Sequence, residues 1–194
     1  MNQQLFYWIN GAGTPWLDAL MRLAGTVGDP LHVAGPLLAA AALLLVWRFR
    51  PERAAAWGLP EPARLARFLK AGLLAVISLT LLVSLLKWGF DQPRPSVALP
   101  EGSVRLLLVP GSPYSFPSGH AAFAMLTACV LWPCCRGGGR LALVLWVLWV
   151  GLARISVGAH FPGDVLAGWC CGALCARLPA FFLPRLERSG ARPA

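Results

Sequence analysis

Between Phe68 and Trp88, twenty-one consecutive residues carry only two charges, Lys70 and Lys87. No other feature constrains the fold as tightly. About 20 residues of α-helix cross the ~30 Å hydrocarbon core of a bilayer, and in lipid only a helix or a closed barrel satisfies its own backbone hydrogen bonds. Further apolar runs predict spans at about 31–49, with Pro36 near the start, and at 119–135, 141–155 and 162–183. Hydrophobic residues make up 57% of the 194 and charged residues 13%, where a soluble domain carries about 25% charge. The expected architecture is therefore all-α, a polytopic transmembrane helix bundle of five spans forming one integral-membrane domain over residues 1–183.

Residues 1–29 mix aromatic and polar side chains around Gly11 and Gly13, and are expected to form one or two interfacial helices, with a sixth span as the alternative. Thr14 and Pro15 have the form of an N-cap followed by a first-turn proline. The region lacks the basic start, apolar core and cleavage site of a signal peptide. Residues 184–194 form a basic tail, expected to be disordered. The six cysteines, Cys129, Cys134, Cys135, Cys170, Cys171 and Cys175, all fall in or beside apolar runs and contain no CxxC pair. Buried structural thiols are the expectation.

The net charge of +9 has no basic groove or basic helix behind it, which argues against a nucleic-acid partner. Twelve of the 17 basic residues lie in 48–70, in 136–140 and from Arg177 onward. With five spans, all three segments fall on one side. The positive-inside rule makes that side cytoplasmic, with the N-terminus outside and the C-terminus inside. The polar junctions Lys87 to Pro95, Pro113 to His120 and Arg154 to Asp164 then share the outer face.

These junctions hold Lys87, Arg94, Ser118, Gly119, His120, Arg154, His160 and Asp164. Cations outnumber the single carboxylate, so a shared pocket would attract an anion, and phosphate suits the donor forks of two arginines. His120 sits at a helix start, beside free N–H groups and the positive dipole end. His160 and Asp164 are four residues apart. Across a helical turn the carboxylate would hold one ring N–H and leave the other nitrogen free to attack phosphorus, while His120 could protonate the leaving oxygen. Each residue also has a structural reading: Lys87 as a snorkelling side chain, Arg94 as a loop charge, Ser118 as an N-cap with Gly119 for packing, Arg154 and Asp164 as an ion pair. The two histidines could be interfacial or, with Asp164, ligate a metal, although the surrounding Arg and Lys would repel a cation. His32 lacks a charged companion and is read as structural.

The three blocks Lys87-x6-Arg94-Pro95, Pro117-Ser118-Gly119-His120 and Arg154-x5-His160-x3-Asp164 resemble the signature of the type 2 phosphatidic acid phosphatase (PAP2) superfamily. The resemblance covers residues 87–164, and the opening Leu5 to Asn10 and Leu17-Asp18 look like small bacterial members. It implies His160 as nucleophile, Asp164 as its orienting carboxylate and His120 as general acid. Lys87, Arg94 and Arg154 would form the phosphate clamp, with Ser118 and the Gly119 N–H as further donors. It also implies activity without metal or cofactor. Ala153 departs from the pattern, which has serine before the arginine, and a modest effect on rate or substrate choice is expected.

The resemblance implies an outward-facing lipid phosphatase of the cell inner membrane that acts on an isoprenoid or glycerolipid phosphate among membrane lipids. Compact size and the short opening point first to undecaprenyl diphosphate, a lipid carrier recycled in cell-wall synthesis. The alternatives are phosphatidylglycerol phosphate, phosphatidic acid or lipid A. A lipid-phosphate binding or transport protein would use the same pocket without chemistry, but would not need the paired histidines.

Overall fold

The computed structural model describes residues 2–29, 34–109 and 111–190. His32 and the predicted start of the first span lie outside the described residues. The elements are α1 (Asn2–Gly11), α2 (Pro15–Val27), α3 (Ala34–Phe49), α4 (Pro51–Ala56), α5 (Pro62–Phe90), α6 (Pro95–Ala98), α7 (Gly119–Leu131), a 3-10 turn (Trp132–Cys134), α8 (Gly138–Ser156) and α9 (Pro162–Gly190). No strand occurs among the described residues beyond a single antiparallel bridge between Pro93 and Tyr114.

Prolines set many of the boundaries. Pro15, Pro51, Pro62, Pro95 and Pro162 each open a helix, where the missing N–H costs nothing and φ is already helical. α5 thus begins at Pro62 rather than near 68, and it ends where Asp91 turns left-handed (φ 43°) and returns its N–H to Lys87 O. Between α7 and α8 the expected glycine turn is shorter than the sequence suggests. Only Gly137 has a positive φ, 47°, and Gly138 already begins α8. α9 continues as helix to Gly190, past the expected boundary at 183.

Three helices are long and apolar enough to cross a membrane, Pro62–Phe90, Gly138–Ser156 and Pro162–Leu183. Ala34–Phe49 and Gly119–Cys134 are apolar but shorter. The five helices overlap the predicted apolar runs, three of them long enough to span, and the chain is an all-α polytopic membrane bundle. Its outer faces have the character of lipid contact: Leu73, Ile77, Leu81 and Leu85 form one exposed stripe along α5. Trp8, Trp16 and Trp88 are 76%, 70% and 78% exposed and cluster by sequence near the ends of helices, as in an aromatic belt.

The centre of the bundle is α7, packed against α5, α8 and α9. Ala75, Leu79 and Val83 of α5 meet Ala122 and Leu126 of α7 and Cys171 and Cys175 of α9. On its other side, Ala124 and Ala128 meet Val147 and Val150 of α8. α9 approaches α7 unusually closely, because Gly168 and Gly172 face the α7 backbone at Ser118 O, Ala122 O and Leu126 N with no room for a methyl group. Small residues one turn apart permit this where hydrophobic burial gives no net drive between helices in lipid. The expectation for the cysteines holds only for Cys171 and Cys175. Cys134, in the 3-10 turn, and Cys170, on α9, are exposed, and all six are free thiols.

The N-terminal helices α1 and α2 pack against the rest of the bundle. Phe6 is fully buried with its ring 5.4 Å from that of Phe161, and Gly28 of α2 lies against Val150. Asn10 is buried and donates Nδ2–H to Ser156 O (2.8 Å) and Arg105 O (2.9 Å), while its Oδ1 accepts from Arg105 N (2.9 Å). Arg105 closes the clasp with both Asp18 oxygens at 2.5 Å and Asn10 O at 2.6 Å. Ser156 ends α8, so this clasp fixes the turn that precedes His160.

Candidate active site

Sequence-distant residues meet at one end of the bundle, where α7 and α9 both begin. The glycine contacts set this meeting point, since Gly168 lies one turn past Asp164 and faces Ser118, and Ser118 N donates to Asp164 O at 2.9 Å. α8 brings Arg154 alongside. The turn after α8 is tight: Ala159 N and His160 N both reach Arg154 O (3.1 Å each), and Gly158 takes φ 80° against the Arg105 carbonyl. A side chain at position 158 would be strained in φ and would strike that carbonyl. The turn leaves His160 only 2% exposed.

Arg94 follows the left-handed Asp91 and the bridge between Pro93 and Tyr114. It donates Nε–H to Ser112 O (2.6 Å) and Nη1–H to Ala159 O (2.8 Å), and Nη1 stands 3.3 Å from His160 Nε2. Two carbonyls thus hold the guanidinium in one pose against the nucleophile candidate. Lys87 donates to Tyr114 O at 3.1 Å. Arg154 is buried, and its Nε and the Ser118 hydroxyl are buried without a hydrogen-bond partner. Unpaired buried donors cost about 1–3 kcal/mol each, and buried cations more. A tetrahedral anion would satisfy both.

The other ring nitrogen, Nδ1, is 3.7 Å from Asp164 Oδ2, longer than a hydrogen bond. That oxygen instead accepts from Phe161 N (2.9 Å) and from Ser115 Oγ (2.5 Å), and Ser115 Oγ is also 3.5 Å from His160 Nδ1. Ser115 is fully buried and is pinned by its own N–H to Gln92 O at 2.8 Å. Burial holds the His160 imidazole below its ordinary value, to about 4, and Arg94 and Arg154 push the same way against the opposing pull of Asp164. The ring is therefore neutral at pH 7, as a nitrogen nucleophile must be. Burial also lowers Arg94, with Asp164 opposing. His120 sits at the start of α7, half-buried, and its charged surroundings are Arg154, Asp29, Arg94 and Lys87.

The structure brings together all eight residues singled out in the sequence: Lys87, Arg94, Ser118, Gly119, His120, Arg154, His160 and Asp164. Sequence reasoning missed Ser115. Ser115 lay inside the Pro113–Phe123 stretch, yet a serine three residues before another is an ordinary loop residue until the fold buries it on a carboxylate. Among the described residues no group of three His, Cys, Asp or Glu is arranged to hold a metal ion. Beside Arg94 a cavity of about 660 Å³ opens between Asp91, Gln92, Ser96, Ser112 and Tyr114.

A polytopic helical membrane protein with a buried, cation-rich histidine cluster at one end of its bundle is the class that this fold and site define. The sequence pattern of the PAP2 superfamily matches residues 68–186, and the chain belongs to that superfamily. Over 115 residues it is 34% identical to a lipid A 1-phosphatase of Rhizobium johnstonii and 33% identical to one of Rhizobium etli. These matches cover 54% of this chain and 43% and 46% of the relatives, so the chain spans less than half of their length. The crystal structure of Aquifex aeolicus LpxE aligns over 93% of this chain and 95% of its own, with TM-score 0.69 and 32% identity. A PAP2-type phosphatidylglycerolphosphate phosphatase from Bacillus subtilis shares the fold, with TM-score 0.65 and 22% identity over 96% of this chain and 88% of its own.

Proposed function

We propose that this protein is a metal-independent lipid phosphatase that works through a phosphohistidine on His160. The observation that carries the reading is the His160 ring itself, with Nε2 3.3 Å from the Arg94 guanidinium and Nδ1 turned toward Asp164 and Ser115. Lys87, Arg94, Arg154, the Ser118 hydroxyl and the Gly119 N–H hold the phosphoryl group. The Nε2 lone pair bonds to phosphorus, the bond from phosphorus to the lipid oxygen breaks, and that oxygen takes a proton from His120. Water then gives a proton to His120 and its oxygen to phosphorus, which cleaves the P–N bond and frees phosphate. Donors fixed around the transferring oxygens before reaction are the main source of rate in such chemistry.

For the substrate, the names of the relatives favour a phosphate monoester on a glycolipid or glycerolipid, such as lipid A or phosphatidylglycerol phosphate, over undecaprenyl diphosphate. The cavity beside Arg94 fits a hydroxyl-bearing headgroup: among the described residues its lining holds no cation besides Arg94, and the Asp91 carboxylate, Gln92, Ser96 and Ser112 offer hydrogen-bond partners to the hydroxyl groups of a sugar or glycerol. The domain is read as one unit over 1–183 with five spans, the site on the extracytoplasmic face of the inner membrane and the C-terminus cytoplasmic. Phosphate release from detergent-solubilised protein, offered lipid A, phosphatidylglycerol phosphate, phosphatidic acid and undecaprenyl diphosphate in turn, tests the reading. His160→Ala is expected to abolish release. Near-normal turnover by that variant, or indifference of the wild type to all four lipids, would overturn it.

A further inference from the structure

At the end of the bundle remote from His160, the helices enclose an apolar cleft that the proposed reaction does not use. It has a volume of about 450 Å³ and is lined by Met125, Ala128 and Cys129 of α7, the Trp132 ring, Val144, Val147 and Leu148 of α8, and Trp169, Ala176 and Arg177 of α9. Its origin lies in how α8 and α9 meet. They touch at Gly151, which lies directly against Trp169 and Val165, and the cleft opens from there toward the start of α8 and the middle of α9. The helix positions fix its depth: the site residues Arg154 and Asp164 stand at the end of α8 and the start of α9, whereas Val144 lies in the first half of α8 and Arg177 midway along α9.

The mouth of this cleft is built from charge. Arg177 lines it directly, and Arg140 lies over the Trp132 ring with its Cζ 5.1 Å from the ring centroid. Arg140 Nε is held by Cys135 O at 2.9 Å, which fixes the guanidinium over the indole and leaves its two terminal nitrogens for another acceptor. The ion pairs among the described residues lie elsewhere, at Arg105–Asp18 and His160–Asp164. One arginine lining an apolar cleft, and a second stacked on the indole that lines it, match the two halves of one kind of molecule: a phosphate for the guanidiniums, and a hydrocarbon chain for the cleft. Two neighbouring clefts, beside Arg67 and beside Arg64, carry one arginine each among their lining residues and no aromatic–arginine stack. They serve as internal comparators.

We infer that the α7–α8–α9 cleft binds an anionic glycerophospholipid from the leaflet opposite the candidate active site, with its phosphate between Arg177 and Arg140 and an acyl chain against Met125, Val147 and Trp169. The lipid wedges the diverging ends of α8 and α9 and so stabilises the same helix pair whose other ends carry Arg154 and Asp164. Charge selects it: a zwitterionic lipid fills the cleft equally well but places a choline beside two guanidiniums.

The test uses full-length protein in a non-ionic detergent, titrated with dioleoylphosphatidylglycerol or with dioleoylphosphatidylcholine and followed by thermal unfolding, with retained lipid counted by native mass spectrometry. The phosphatidylglycerol series is expected to raise the Tm by about 5 °C at saturation, since a ligand that binds only the folded state stabilises by mass action. The phosphatidylcholine series gives no comparable rise. Arg140→Gln with Arg177→Gln abolishes the increment, and Arg64→Gln with Arg67→Gln keeps it. Leu148→Trp, which fills the cleft without touching charge, also abolishes it and covers the case in which the double arginine variant fails to fold. Equal shifts with both lipids, or an increment that survives both Arg140→Gln/Arg177→Gln and Leu148→Trp, would overturn the inference.

Discussion

The Ser115 hydroxyl donates to Asp164 Oδ2 at 2.5 Å, and His160 Nδ1 stands 3.7 Å from that same oxygen. One carboxylate oxygen thus serves a serine at rest and, in the proposed reaction, is near enough to take the imidazolium N–H that forms when Nε2 bonds to phosphorus. A hydrogen bond from Ser115 draws charge from the carboxylate and so makes His160 less basic.

Ser115→Ala tests this through pH. In the proposed reaction His160 acts while neutral, and burial holds its pKa at about 4, so the acid limb of wild-type kcat/KM is expected in that region, while a separate alkaline limb follows His120 losing the proton it donates. Without Ser115 more charge remains on Asp164, the His160 pKa rises, and the acid limb moves up by about one pH unit. Ser115→Cys, a poorer donor, falls between the two, and KM changes little because Ser115 does not face the phosphate. Superimposable pH–rate profiles would remove Ser115 from this role.

Arg94→Lys keeps the charge and loses the geometry. A lysine cannot bond Ser112 O and Ala159 O while also presenting a donor beside His160 Nε2, as the guanidinium does. The expected cost is about 100-fold in kcat/KM, measured by phosphate release. A loss smaller than about threefold would mean that Arg94 acts only as a point charge.

Gly172→Ala is expected to be destabilising. A methyl group there meets Ala122 O and Leu126 N, which are backbone and cannot turn aside, so α9 must retreat from α7 at about 1–3 kcal/mol. Gly35→Ala on α3, where a methyl group meets open space, is the control and should cost nothing. Thermal unfolding in one detergent compares them; equal Tm values would argue against the close α7–α9 contact.

Arg105→Ala opens the clasp between the N-terminal helices and the end of α8. It removes the paired bonds to Asp18 and the bond to Asn10 O, and a loss of about 2 kcal/mol is expected. Faster hydrogen exchange of the amides in residues 156–160 would accompany a lower kcat. Unchanged exchange there would separate the clasp from the His160 turn.

Much of this molecule is legible in the order of its residues. Apolar runs near 20 residues can only be helices in lipid, because no water is present to satisfy a strand edge or a loop, so α5, α8 and α9 follow from local composition alone. The polar blocks around Lys87, His120 and His160 stand out for the same reason, as charges where charge is costly. Three-dimensional packing decided the rest. That Ser115 rather than His160 would hydrogen-bond Asp164 Oδ2, that Asn10 and Arg105 would tie the chain's opening to Ser156, and that Gly168 and Gly172 would draw α9 onto α7 are all contacts between distant segments. The serine and asparagine contacts leave no period and no spacing in the chain, since each residue has the same local propensity whether or not the fold brings a partner to it; the Gly168-x3-Gly172 spacing is visible in the sequence, but only the fold decides that it faces α7.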